Sequence, residues 1–295
     1  MPDDQWEALV DTFVEGAYAT VKGRVRTYVL HEQLLRHLPA PPATILDVGG
    51  GAAHQSLPLA RLGYEVTVVN PSAAMLAKAA QRLAAEPEAV QRRVRLIQAE
   101  GENAHQAVDG EKFSAVLCHG VLMYLAQSGP MVESLCRCVS AGGLVSIMAL
   151  NAHTLALRPA LEGRWDDALA AFDASEEVGV LGTQTRADTV EGLSELMRQA
   201  EVDAVTWYGV WLFVDWLDLP LESTDVKAVA AVELTPTGSS AGSSTWSPAS
   251  SKFSCPSQPT VGDALCPRGS RDSAKGPRKA KKSAATSSRD GSSRT

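Results

Sequence analysis

The sequence predicts an α/β protein built on a doubly wound, mostly parallel sheet. Three observations lead to this fold class. Short apolar runs rich in Val, Ile and Leu alternate with helical patterns through the middle of the chain. The first run is followed directly by three glycines, as expected where a strand turns sharply into a helix. The composition then changes abruptly near Leu234.

Five parallel strands are expected, because each is a short apolar run of the kind that is buried on both faces. They comprise residues 44–48, 65–70, 94–97, 113–119 and 144–149. Helices are expected between them, over residues 56–62, 72–85 with Ser72 as N-cap, and 130–139 closed by Gly142 and Gly143. Right-handed crossovers would bring the carboxyl ends of strands one, two and four to one edge of the sheet.

The alternating pattern becomes weaker after residue 150. Residues 151–187 are predicted to be an insertion that contains a short helix over residues 165–172. A helix over residues 188–200 follows, with Asp188 as its N-cap, and then a sixth strand over residues 206–214. The last predicted element is a helix over residues 224–234.

Composition predicts one folded domain over residues 1–234 and a disordered tail over residues 235–295. Within the domain we expect a helical cap at residues 4–38, the core at residues 43–150 and the insertion at residues 151–187. The tail is dominated by Ser, Pro, Gly, Ala and Thr. Such a segment cannot bury enough apolar surface to offset its ordering entropy.

Net charge divides at the same place. The tail contains ten of the 27 Lys and Arg residues and three of the 34 Asp and Glu residues, so the tail carries +7 and residues 1–234 carry −14. So acidic a domain does not favour broad binding to nucleic-acid phosphates. The run Lys275–Lys282 could bind an anionic partner, although a solvated tail is the simpler interpretation.

Targeting and metal signals are weak. The chain has five cysteines, and none is spaced with others or with histidine in the manner of a zinc site, so no metal is expected. The first residues are acidic and no apolar run reaches the roughly 20 residues of a membrane span. We therefore expect a cytoplasmic protein with reduced thiols and no membrane association.

The glycine loop, Asp47-Val48-Gly49-Gly50-Gly51, indicates a site where the backbone approaches a ligand closely. A tight strand-to-helix connection is the plain structural alternative. A dinucleotide fingerprint would require glycine or alanine where His54 stands and an acidic residue near Asn70. The loop therefore does not fit a dinucleotide, and an acid just before the glycines, such as Asp47, is typical of a nucleoside-methionine site.

Three segments carry a family resemblance. Residues 45–51, 70–76 and 139–145 resemble motif I, motif II and the glycine turn before strand five of class I S-adenosylmethionine methyltransferases, which have a Rossmann-like fold. The resemblance implies that S-adenosylmethionine is the cofactor and that Asp47, Gly49, Gly50, Gly51 and Asn70 bind it. Two positions depart from the pattern. Asn70 replaces an acid that would accept both ribose hydroxyls, and Ala53 replaces the third glycine.

A narrower resemblance is to the tRNA 5-carboxymethoxyuridine methyltransferase group, in residues 17–26, 119–124 and 150–153. It implies that Arg26 contacts the methionine carboxylate, a role that suits the guanidinium fork. It also implies that Ala99 and Glu100 flank the adenine and that His119 lines the cofactor cleft. The alternatives are a surface charge for Arg26 and a structural hydrogen bond for His119.

Methyl transfer places few demands on the protein beyond positioning and exclusion of water. A carboxylate acceptor needs no base, whereas a hydroxyl or amine acceptor would use His119 or His153 as catalytic base. The candidate acceptor residues are Tyr18, Tyr124, Asn151 and Arg158. Three hypotheses follow: methylation of a modified wobble uridine in tRNA, methylation of a small metabolite, and a non-catalytic cofactor-binding module.

The carboxyl end departs from the family pattern. Class I methyltransferases finish with an antiparallel strand between strands five and six, and no such strand is predicted after residue 234. We expect that the ordinary ending of the fold has been replaced. Strands five and six would then have unpaired backbone groups.

Overall fold

A computed structural model describes residues 10, 14, 18–179, 182–204, 206–216 and 224–234, and the backbone of residues 239–240. All of them belong to the first of two compact units, Met1–Ser244 and Thr245–Thr295. The predicted tail lies outside the described residues except for Ser239 and Ser240. So does the predicted cap before residue 18, apart from residues 10 and 14.

The central sheet has five parallel strands in the order β3-β2-β1-β4-β5, which confirms the predicted fold class. The strands are β1 Thr44–Val48, β2 Glu65–Asn70, β3 Val94–Gln98, β4 Phe113–His119 and β5 Val139–Met148. The order reverses between β1 and β4, so the loops after these two strands open a crevice at the carboxyl edge.

Helices connect the strands and flank the sheet. They are α1 Val21–Leu35, α2 Ser56–Arg61, α3 Ala73–Ala84, α4 Glu88–Gln91, α5 Ala104–Ala107, α6 Gly129–Cys138, α7 Leu157–Leu161, α8 Trp165–Ala171, α9 Val190–Gln199 and α10 Val226–Leu234. Ser72 caps α3 as predicted, because its hydroxyl accepts the N–H of Met75.

Alternate residues of β1 face two separate cores. Ile45 packs with Leu57, Leu59 and Ala79 from α2 and α3. Leu46 and Val48 pack with a second group that includes residues of α6 and α9: Met131, Val132, Leu135, Leu193 and Leu196. Both faces of the sheet are therefore covered by helices, which explains why its strands read as continuous apolar runs.

Three predicted boundaries were wrong. Strand β5 begins at Val139 rather than Leu144, so Gly142 and Gly143 lie within it and do not close the preceding helix. The register with β4 shifts there, between Phe113 and Ala115. The N-cap of α9 is Thr189 and not Asp188, because the Thr189 hydroxyl accepts the N–H of Gly192.

The predicted sixth strand was also wrong. Only β8, Thr206–Trp207, is extended, and it pairs antiparallel with β9, Ser239–Ser240, apart from the central sheet. The N–H groups of residues 212–214 are bound by the carboxylate of Glu233 and so are not available to a strand partner. In the described part of the chain, no antiparallel strand joins the central sheet.

The insertion folds as helices α7 and α8 followed by the hairpin β6 Glu176–Val178 and β7 Gln184–Arg186. Helix α10 packs on α1, although the two helices lie at opposite ends of the domain sequence. Their shared core includes Val21, Val25 and Val29 of α1 and Ala230 of α10. Across the described residues, none of the helices combines the length and apolar character of a membrane span.

Candidate active site

The glycine loop after β1 requires glycine at two positions for different reasons. Gly49 has a φ of +73°, and a Cβ there would lie 2.3 Å from Cγ2 of Val121. A Cβ on Gly50 would lie 2.6 Å from Oδ2 of Asp47. Ala53, which replaces the third glycine of the motif, has a φ of +59°. The loop therefore keeps the backbone course of a glycine turn even where alanine stands.

Asp47 lies beneath this loop rather than on its surface. Its side chain is buried and accepts a hydrogen bond from the hydroxyl of Ser56. Burial raises the pKa of Asp47 to about 6, and the Ser56 hydrogen bond partly opposes this shift. The carboxyl group therefore lies on the buried side of the loop, where it is bonded to the first residue of α2.

Asn70, at the end of β2, is 7% exposed and organises two neighbouring segments. Its side-chain oxygen accepts the N–H of Ser72, and its backbone carbonyl accepts the N–H of Ala99. Glu100 is exposed and precedes a short 3₁₀ helix, Gly101–Asn103. The carboxyl ends of β2 and β3 thus lie side by side at this edge, with Asn70 and Ala99 in contact.

Arg26 projects from α1 into a group of aromatic rings. Its guanidinium carbon lies 4.5 Å from the centre of the Tyr18 ring and 5.4 Å from the Trp211 ring. Tyr18 in turn stacks on His54, with ring centres 3.7 Å apart and planes 5° from parallel. The charge of Arg26 contributes to lowering the pKa of both His54, after the glycine loop, and His119, at the end of β4. The cation therefore lies over the crevice between β1 and β4.

His119 has one bonded and one unbonded ring nitrogen. Nε2 lies 2.9 Å from the hydroxyl of Ser146 on β5, and Nδ1 is buried without a hydrogen-bond partner in the described part of the protein. Burial, with a smaller effect of Arg26, lowers the pKa of His119 to about 4. Burial also raises the pKa of Tyr124, which lies close enough to Tyr18 and Arg26 for their charges to act on it. The His119 ring is therefore neutral at physiological pH.

Three of the predicted residues lie instead around the insertion. His153 Nε2 is 3.6 Å from the Glu191 carboxylate, and Arg158 is paired with Asp215 at 2.9 Å. The side-chain oxygen of Asn151 accepts the N–H of His153. The structure thus brings Tyr18, Arg26, Tyr124 and His119 together at the crevice, but places His153 and Arg158 in contacts of the insertion.

Arg186, which no motif in the sequence singled out, ties the insertion to the crevice. The Arg186 guanidinium donates to the backbone carbonyls of Leu122 and Leu125, which flank Tyr124, and to the Ser128 hydroxyl. It also pairs with Asp188 at 2.7 Å, and these two side chains are 18% and 11% exposed. The backbone of Asp188 bonds to both Leu150 and Ala152, after β5. No local sequence pattern signals such a network.

His54 and Arg82 were missed as well. Arg82 on α3 donates to the backbone carbonyl of Ala52, directly after the glycine loop, at 2.8 Å. Burial, aided by the charges of Arg82 and Arg26, lowers the pKa of His54 to about 3. The described residues contain no group of three or more His, Cys, Asp or Glu side chains that could hold a metal ion.

From the burial of His119 we predict that the stability of the protein depends on pH. His119 takes up a proton near pH 6.5 when unfolded but only near pH 4 when folded, so the unfolded state binds more protons in between. Stability therefore falls as the pH falls through this window. Asp47 acts in the opposite direction below pH 6, because its folded pKa is raised. Replacing His119 by Gln should reduce the pH slope of the unfolding free energy by up to about 1.4 kcal/mol per pH unit.

Urea unfolding of the wild-type protein and of His119→Gln at pH 6.5 and pH 5.0 would measure how steeply the unfolding free energy changes with pH. The variant His105→Gln, on the short helix α5, is the matched control. An His119→Gln slope equal to that of the wild-type protein would contradict the prediction.

Comparison with known proteins agrees with this geometry. Residues 46–145, from β1 through most of β5, match the family described as Methyltransferase domain. This match to a methyltransferase domain covers about a third of the chain. Magnesium protoporphyrin IX methyltransferase from Synechocystis PCC 6803 has the same fold, with a TM-score of 0.52 at 15% identity over 70% of this chain and 90% of that one.

The curated relatives of the methyltransferase domain act on different molecules by name. The tRNA 5-carboxymethoxyuridine methyltransferase of Escherichia coli strain K12 is 27% identical over 169 residues, which are 56% of this chain and 64% of the relative. The ubiquinone biosynthesis O-methyltransferase of Azorhizobium caulinodans is 25% identical over 179 residues, 54% of this chain and 68% of that protein. The chain thus spans less than two thirds of the length of the Escherichia coli relative.

Proposed function

We propose that the chain is an S-adenosylmethionine-dependent methyltransferase that methylates an oxygen or nitrogen nucleophile, with Arg26 as the clamp for the cofactor carboxylate. The observation that carries this proposal is the position of Arg26. Its guanidinium packs on Tyr18, and its charge acts on His54, which follows the glycine loop, and on His119, at the end of β4. A cation in the crevice above a glycine loop suits a zwitterionic amino-acid moiety.

The remaining residues fit the rest of the cofactor. S-adenosylmethionine would supply an electrophilic methyl group on a sulfonium. The positive φ angles of Gly49 and Gly51 leave the loop backbone open to close approach, and Asn70 and Ala99 meet beside it. Neutral His54 and His119 add no positive charge next to a sulfonium, which keeps the crevice compatible with a cationic centre.

His119 is proposed to contact the methyl acceptor. Its Nδ1 is the unpaired polar atom at the end of β4, and Ser146 orients the ring through Nε2. A hydroxyl or amine acceptor would donate its hydrogen bond to this nitrogen, whereas a carboxylate acceptor would need no proton removal. Tyr124, held by the loop that Arg186 binds, would line the same side.

Two acceptor classes follow from this arrangement. The relationship to the tRNA 5-carboxymethoxyuridine enzyme supports the carboxylate of a wobble uridine in tRNA. The net charge of −14 on residues 1–234 supports a small metabolite instead, because it opposes approach of a polyanion. A non-catalytic cofactor-binding module is the third candidate, and Asn70 in place of an acid is its support.

Calorimetric titration with S-adenosylmethionine tests the cofactor, and transfer of a labelled methyl group tests the acceptor. Transfer to tRNA from cells lacking the modification, weakening steeply with salt, would support the first class. Transfer only to small carboxylic acids or phenols would support the second. Cofactor binding without turnover on any acceptor would support the non-catalytic candidate, and no binding by the folded chain would overturn the proposal.

For Asn70 we predict a substitution that strengthens cofactor binding rather than weakening it. Its oxygen already accepts the N–H of Ser72, so Asn70→Asp keeps that bond and replaces the amide nitrogen by a second, charged acceptor. We expect about tenfold tighter binding of S-adenosylmethionine, because bonds to ionised acceptors are stronger. Titration of both proteins measures the change. The control ligand is 2′,3′-dideoxyadenosine, which lacks both ribose hydroxyls, so the substitution should leave its affinity unchanged.

A further inference from the structure

We infer that Glu233 is a positioning residue for cofactor binding, because it fixes the loop that holds Trp211 against Arg26. This inference rests on the proposed function, in which Arg26 binds the carboxylate of the cofactor. It assigns a role in that site to the last helix, α10, more than 200 positions away from Arg26 in the sequence.

The first observation is the burial of Glu233. This carboxylate is 1% exposed and accepts three consecutive backbone N–H groups, from Leu212 at 2.8 Å, Phe213 at 2.9 Å and Val214 at 2.7 Å. A carboxylate out of water is costly unless its oxygens are bonded, and successive N–H groups make a concave anion site. The loop conformation and the buried charge therefore depend on each other.

The second observation is the backbone of Trp211. Its φ is +64°, a region that bulky residues rarely adopt. Strain of this kind persists only where surrounding contacts impose it. The Glu233 bonds begin at the very next residue, and the Trp211 indole N–H donates to the carbonyl of Lys22 at 2.8 Å. The Lys22 bond fixes the ring, and the Glu233 bonds fix the backbone that follows it.

The third observation is what the ring contacts. Trp211 lies 5.4 Å from the Arg26 guanidinium carbon, and Tyr18 lies 4.5 Å from it. An arginine side chain has many rotamers, and restricting them before a ligand arrives reduces the entropy lost on binding. Without Glu233 the loop is free to relax from the strained φ, and Arg26 would keep only one of the two rings.

The same segment holds α1 itself. Val214 is fully buried in the core shared by α1 and α10, together with Val25 and Val29. Asp215, the next residue, bonds to Lys22 of α1 through both its backbone and its side chain. Glu233 is thus connected to Arg26 through the position of one helix as well as through one ring.

The experiment compares two thioether nucleosides that differ in the amino-acid portion. S-adenosylhomocysteine carries the carboxylate that Arg26 is proposed to bind, whereas 5′-methylthioadenosine has a methyl group in place of the whole amino-acid portion. In Glu233→Gln we expect the affinity for S-adenosylhomocysteine to fall about tenfold and that for methylthioadenosine to stay within about twofold. Trp211→Gly should give the same result without strain, since glycine accepts the positive φ.

Glu88→Gln is the matched control, because Glu88 is 80% exposed on α4, and it should leave both affinities unchanged. Urea unfolding shows whether Glu233→Gln is folded. If it is not, the affinities of Trp211→Gly test the positioning role. Equal weakening of both ligands, or unchanged affinity for S-adenosylhomocysteine, would overturn the positioning role. A folded wild-type chain that binds neither ligand would overturn the proposed function instead.

Discussion

Replacing Arg26 by alanine is expected to weaken binding of S-adenosylmethionine about a hundredfold, because a charge-assisted pair in a partly buried crevice is lost. The guanidinium lies over the rings of Tyr18 and Trp211, which restrict its rotamers. Its loss therefore removes both the charge and a preorganised fork. Calorimetric titration of the wild-type protein and of Arg26→Ala gives the ratio directly.

Arg24→Ala is the control for this effect. Arg24 lies on the same helix two residues earlier, but its side chain is exposed. Its removal lowers the net charge of the domain equally and should change the affinity by no more than about twofold. If the two variants weakened binding equally, the clamp would be refuted and only a general charge effect would remain.

Replacing Arg186 by methionine is expected to lower the free energy of unfolding by about 3–5 kcal/mol. The variant leaves the Asp188 carboxylate, 11% exposed, without its cation, and leaves the carbonyls of Leu122 and Leu125 without this donor. Removing one partner of a buried pair costs more than the pair itself contributes. Chemical denaturation at neutral pH measures the loss.

The double variant Arg186→Met/Asp188→Leu separates the pair from its surroundings. Because no uncompensated charge remains, it should be more stable than Arg186→Met alone. Arg198→Met, on the 66% exposed side chain of Arg198, is the surface control and should cost less than about 1 kcal/mol. A single Arg186 variant no less stable than this control would mean that the network carries no net stability.

The central sheet could be predicted because its signals are local. Strands β2 and β4 have the predicted ends, since a short apolar run bounded by polar or glycine residues determines its own limits. The cap at Ser72 is equally local, because its hydroxyl reaches an N–H three residues later. The glycine loop was also evident, and its positive φ angles give the physical reason.

The segments that were mispredicted are controlled by distant residues. Residues 208–214 have the composition of a strand, but Glu233 binds three of their N–H groups. Asp188 is a residue type favoured as an N-cap, but its side chain is bound by Ser128, 60 positions earlier, as well as by its neighbour Arg186. At the site, Trp211 and Arg186 act through tertiary contacts that no spacing in the sequence records. The roles assigned to Arg26, His119 and Asn70 remain predictions to be tested as described.

The packing of α1 against α10 has a consequence for the order in which the protein is made. Arg26 leaves the ribosome early, whereas Trp211 and Ala230, which pack against Arg26 and its helix, are synthesised about two hundred residues later. Contacts of such long sequence separation form late and slow the search for the native state. The nascent chain can therefore assemble the glycine loop well before it can complete the clamp, so a ligand with the amino-acid carboxylate would bind at full affinity only to chains that have been translated past Glu233.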